Sequence, residues 1–151
     1  LISYHLTKEN HFEYKGVIFL SPGFGTYEGI FVRTLLKMVS CCCPKKRIPF
    51  DKKESRLFKN PTNFENKDPL VYDCNSTFRQ ASCVISEMVK LKDSEFQKYQ
   101  TSFVVVIPGV DKVVPPIKMY NFYEKAKSLD KEVWYYPNAW HSLYAEEEIL
   151  D

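Results

Sequence analysis

No run of apolar residues in this 151-residue chain reaches the roughly 18 to 20 that a membrane-spanning helix needs, so none of its segments reads as one. Charge of one sign is missing too: a net charge of +2, evenly spread, lacks the footprint of a nucleic-acid binder. The five cysteines, Cys41, Cys42, Cys43, Cys74 and Cys83, form no C-x-x-C pair and have no histidine nearby, which excludes the usual zinc spacings. They read as reduced thiols on and beside a helix, with lipidation of "SCCCPKK" as the alternative. The opening "LISYHLTKEN" has no basic segment, apolar segment or small-residue cleavage site, so it is not a signal peptide. It starts on Leu1 in a helix-like run and reads as the tail of a helix continued from upstream. Histidine is scarce, at three residues. One of these, His141, stands where a strand-like run stops.

What is present is a folding composition. Hydrophobic residues make up 44% and charged residues 26%, with 11 Phe and 10 Tyr, in a chain long enough to bury a sizeable core. Three short runs are rich in β-branched and aromatic residues: "GVIFL" from Gly16, "SFVVVI" from Ser102 and "KEVWYYP" from Lys131. The first two are apolar almost throughout, the pattern of strands covered on both faces of a parallel sheet. Between the last two, Met119, Phe122, Tyr123 and Ala126 recur at helical spacing, which makes a β-α-β unit with parallel strands. The fold class is therefore α/β.

The connection between the first two strands is much longer than a crossover helix. It predicts an insertion over residues 26–100, set into a core of residues 1–25 and 101–151. The insertion holds two helical runs, "EGIFVRTLLKMV" and "NSTFRQASCVISEMVKL", separated by a charged, Asn- and Pro-rich loop, and reads as a helical cap. The apolar set around Phe31 and Leu35 is helix core or the entrance to an acyl pocket. With Arg33 and Lys37 it could also rest on a membrane surface.

Ligands of open α/β sheets bind beyond the carboxyl ends of the strands. Asp111 follows "VVVI" by four residues and His141 follows "VWYY" by five. If the two strands are neighbours, the carboxylate can orient the imidazole as the second half of a catalytic triad. The bland alternatives are a turn-forming aspartate and a capping or surface histidine.

The segments "VIFLSPGF", "KDPLVY", "VVVIPGVDKVVPP" and "VWYYPNAWHSLYAEEE", in this order, resemble the C-terminal half of α/β-hydrolases of the monoacylglycerol lipase and lysophospholipase type, also described as serine aminopeptidase-like. The resemblance implies catalytic roles for Asp111, where "GVD" stands for the family's Gly-x-x-Asp turn, and for His141 in "NAWH"; Glu146–Glu148 read as the first turn of a final helix, where negative charge suits the N-terminus. It implies a substrate wall drawn from Phe24, Phe31, Leu35 and Val113, a lipid ester as substrate, and no metal or organic cofactor. The family's G-x-S-x-G nucleophile turn is absent from the chain. The resemblance places that serine upstream of Leu1, makes Ser21 part of the pocket wall, and implies that these 151 residues alone are inactive toward a fluorophosphonate probe. The alternatives are a carboxylesterase or peptidase of the same fold, or an inactive remnant serving as an interaction module. The expected location is the cytoplasm or the periphery of a membrane.

Overall fold

The computed structural model describes residues 1–8, 14–49 and 76–145. The three β-rich runs become β1 (Val17–Leu20), β2 (Phe103–Pro108) and β3 (Lys131–Tyr136), a parallel sheet in the order β1-β2-β3. Val17 stands opposite Phe103, and Phe103 opposite Lys131, so the strands start level. Their exit loops consequently share one end of the sheet.

Among the described residues the strands are accompanied by the α-helices α1 (Ile2–Lys8), α2 (Ile30–Cys42), α3 (Phe78–Lys90), α4 (Asp93–Phe96) and α5 (Pro116–Lys125). Helix α5 starts on a proline, whose fixed φ suits a first helical position and whose missing N–H would be unpaired there anyway. Helix α3 starts on a capping box. The Gln80 N–H donates to Thr77 Oγ1 at 3.2 Å, while the Thr77 N–H donates to Gln80 Oε1 at 2.9 Å.

One face of the sheet is closed by an aromatic core. Tyr4, Phe19, Phe24, Phe96, Tyr99 and Phe122 are all buried, and Phe122 sits at the centre with its ring centroid 4.4 Å from Phe24 and 4.7 Å from Phe103. Edge-on and tilted ring pairs of this kind add about 0.5–1.5 kcal/mol each beyond the area they bury. The buried hydroxyls are satisfied: Tyr4 Oη donates to the Glu95 carbonyl at 3.0 Å and Tyr99 Oη bonds Thr7 Oγ1 at 2.8 Å.

The other face differs from the expectation of strands covered on both sides. Strand β2 is buried along nearly its whole length, but Ile18 and Leu20 of β1 are 65% and 58% exposed. Among the described residues no strand pairs with the outer edge of β1.

In the long connection α2 and α3 lie side by side, and an isolated bridge between Arg47 and Thr77 ties their linker. Leu91, Phe96 and Tyr99, at the end of the segment assigned by sequence to the insertion, pack with Tyr4 in the aromatic core. "DPLVY" and Glu146–Glu148 lie outside the described residues.

Candidate active site

The ladder between β2 and β3 continues past the strand ends. The Gly109 N–H donates to the Tyr136 carbonyl at 2.8 Å and the Val110 N–H to the Ala139 carbonyl at 3.1 Å. The two exit loops are zipped together, with Ala139 fully buried between them. Asp111 and His141 are therefore delivered to the same place.

Asp111 is 3% exposed. Its Oδ1 accepts the main-chain N–H groups of Val113 (2.7 Å) and Val114 (2.8 Å), a local turn that short acidic side chains favour. Its Oδ2 lies 2.8 Å from His141 Nδ1. With the carboxylate ionised, Nδ1 carries the donated proton, and Nε2 is left as the nitrogen that can exchange one. The His141 side chain is 23% exposed and that of Asp111 is 0% exposed. A buried carboxylate thus holds an imidazole that still reaches solvent.

Two hydroxyls enter the site from the loop after β1, that of Ser21 and that of Tyr27, the second of which the sequence reading did not single out. Ser21 Oγ donates to the His141 carbonyl at 2.7 Å and Tyr27 Oη donates to the Asp111 carbonyl at 2.6 Å. Burial, and secondarily the Asp111 charge, push the Tyr27 phenol above its ordinary value, so it remains a donor. Ser21, read from sequence as pocket wall, is 7% exposed and lies under the His141 main chain. The residues beside the pair are tied as well, with Lys112 Nζ 3.6 Å from the centroid of the Trp140 ring.

Of the residues expected to touch substrate, Val113 is next to the pair, through its bond to Asp111, and is 36% exposed. Phe24 is buried in the aromatic core and borders a cavity of about 570 Å³ between the core and α2–α3. Phe31 and Leu35 are 76% and 50% exposed on α2 and line neither this cavity nor the groove of about 280 Å³ between α2 and α3. Neither cavity is lined by Asp111 or His141. Among the described residues no group of three or more His, Cys, Asp or Glu side chains could hold a metal ion. Cys41, Cys42, Cys43 and Cys83 are free and exposed. No helix among the described residues is long and apolar enough to cross a membrane.

The fold has solved counterparts. A monoacylglycerol lipase from Paleococcus ferrophilus superposes with a TM-score of 0.80 at 19% identity, over 97% of this chain and 58% of the lipase. A soluble variant of the monoglyceride lipase from Saccharomyces cerevisiae, solved with a substrate analogue, gives 0.72 at 19% identity, over 89% of this chain and 51% of the lipase. The chain thus spans little more than half the length of the lipases it matches. No curated protein sequence matches it. The hydrolase family described as serine aminopeptidase, S33, matches residues 1–148. With the parallel sheet and the strand-end placement of Asp111 and His141, that match places the chain in the serine aminopeptidase S33 family, on an α/β-hydrolase fold.

Proposed function

We propose that this chain supplies the base and the orienting carboxylate of a serine ester hydrolase acting on monoacylglycerol or lysophospholipid. The observation that carries the reading is the 2.8 Å contact between His141 Nδ1 and the buried Asp111 at the carboxyl end of a parallel sheet. In the proposed reaction a serine hydroxyl attacks the ester carbonyl and His141 Nε2 takes its proton. Asp111 fixes the imidazole tautomer and stabilises the imidazolium. His141 then protonates the leaving alcohol, and the same base activates water to release the acid. No G-x-S-x-G occurs in the 151 residues, so the serine comes from outside them. Among the described residues no strand pairs with the outer edge of β1, which offers a place for the strand that would carry it.

A lipid ester is favoured over a small one by the apolar side chains on the outer side of α2. Phe31, Leu35 and Met38 are 76%, 50% and 63% exposed, beside Lys37. That face suits the surface of a membrane or lipid aggregate, with the lysine toward headgroups. A peptidase is the second reading, favoured by the description of the family itself.

The test is hydrolysis of a monoacylglycerol by a polypeptide that joins this chain to a segment bearing the nucleophile turn. His141→Ala should lower turnover by about 10⁴-fold or more while the fold is kept. Undiminished turnover would exclude His141 as the base, and cleavage of aminoacyl substrates in place of esters would favour the peptidase.

A further inference from the structure

Ser21 is the one non-glycine residue with positive φ among the described residues, at 42°. This left-handed conformation is unfavourable for a residue that carries a Cβ, so something must hold it. Two contacts do. The Ser21 N–H extends the β1–β2 ladder to the Val106 carbonyl at 3.1 Å, and its hydroxyl reaches the His141 carbonyl at 2.7 Å. The same carbonyl also accepts the Leu143 N–H at 3.1 Å. Six residues further along the loop, Tyr27 Oη holds the Asp111 carbonyl at 2.6 Å. Both members of the pair are thus gripped by their main-chain oxygens, from a single loop that belongs to neither β2 nor β3.

We propose that the loop leaving β1 is a positioning device in which Ser21 and Tyr27 set the distance at which the His141 imidazole meets the Asp111 carboxylate. The inference rests on the hydrolase reading for its importance, but its geometry is independent of that reading. Asp111 Oδ1 is fixed by two N–H groups, so the carboxylate cannot follow an imidazole that drifts. Alignment must then come from holding the two main chains. Ser21 holds one and Tyr27 the other. The Ser21 hydroxyl, donated to a carbonyl, is directed at the backbone of the base and not at its ring, which makes Ser21 a positioning residue and not a nucleophile. The strained φ fits this role, because it turns the chain at the end of β1 toward the neighbouring loops.

The experiment reads the Nδ1–H proton of His141 by NMR in the 151-residue chain labelled with ¹⁵N-histidine, using His141→Gln for assignment. A proton held between imidazole and carboxylate resonates far downfield and exchanges slowly with water. Ser21→Ala removes the hydroxyl and keeps a Cβ at the same positive φ, so the backbone strain is unchanged and only the hydrogen bond is lost, and Tyr27→Phe removes the second hold. Each is expected to speed exchange of that proton by about tenfold, the equivalent of one net hydrogen bond, with the dispersion of the remaining amide signals unchanged. Asp111→Asn serves as the reference for complete loss. Unchanged exchange in both variants would overturn the inference, as would a parent chain with a dispersed amide spectrum and no such resonance. Should a variant lose its dispersed spectrum, the other decides. Because the readout needs no turnover, failure of the hydrolase reading leaves this result standing, and failure here leaves the role of His141 untouched.

Discussion

Gly109 faces the main chain of Pro137 so closely that a Cβ at Gly109 would lie 2.4 Å from the Pro137 carbonyl oxygen and 2.8 Å from its Cα. Real Cβ atoms do not approach backbone this closely, and neither partner is the flexible end of a side chain. The glycine of the G-x-D turn is therefore there to let two loops touch. Gly109→Ala should push the β2 and β3 exit loops apart and destabilise the chain by about 1–3 kcal/mol, as overpacking does. Urea unfolding measures the stability, and the His141 Nδ1–H resonance reports the loss of the pair. An alanine variant with both unchanged would show that the loops separate at no cost.

Asp111→Asn preserves size but offers an amide where the carboxylate was. In a polypeptide completed with the nucleophile, turnover is expected to fall by about 10⁴-fold, because the imidazole loses both its tautomer preference and the charge that stabilises its protonated form. Ester hydrolysis assayed beside a fold check decides this, and a drop below tenfold would mean that Asp111 is only a turn residue.

Phe122 stands at the centre of the aromatic core with no exposed surface. Phe122→Ala should cost about 3–5 kcal/mol, a large part of the 5–15 kcal/mol typical of a whole domain. The midpoint of urea unfolding should fall accordingly; a shift equivalent to less than about 1 kcal/mol would show that the surrounding rings collapse into the space.

Glu95 joins two lysines, with Lys8 Nζ at 2.6 Å from Oε2 and Lys98 on Oε1. The hydrogen bond from Lys8, then that from Lys98, hold its carboxyl down at about 2. Its unfolded value is about 4.3, so the folded state binds the proton less readily. The contribution is present above the unfolded value and is lost as pH falls from there toward 2. Acid unfolding of the parent should be steeper in that window than acid unfolding of Glu95→Gln, and the gap should shrink with added salt, since the pair is partly exposed. Parallel curves would discount Glu95 as an acid-sensitive tie between α1 and α4.

The strands and α5 are legible in the sequence because their side-chain patterns answer to local rules: "SFVVVI" has no helical period, and Met119, Phe122 and Ala126 have no strand period. Asp111 and His141 are legible because chain order and strand ends suffice to bring them together. Ser21 and Tyr27 are different. Their partners are 120 and 84 positions away, and a hydroxyl that meets a main-chain carbonyl leaves no side-chain signature at the other end. The only available hint was that "SPGFGTY" leaves a strand at the same end of the sheet. The exposure of Ile18 and Leu20 was illegible for another reason, since an apolar run states what a strand could have against it and not what lies there.

The sheet order also has a meaning in time. The Asp111–His141 pair is closed within one β-α-β unit, across 30 positions, whereas its two outer holds come from far earlier in the chain. A polypeptide made from its N-terminus acquires the holds first, the carboxylate next and the imidazole last. Under the proposed chemistry, a chain still being synthesised has no working base until β3 has docked and the loop after it has closed onto Gly109. Chemical competence would then begin with the completion of the fold.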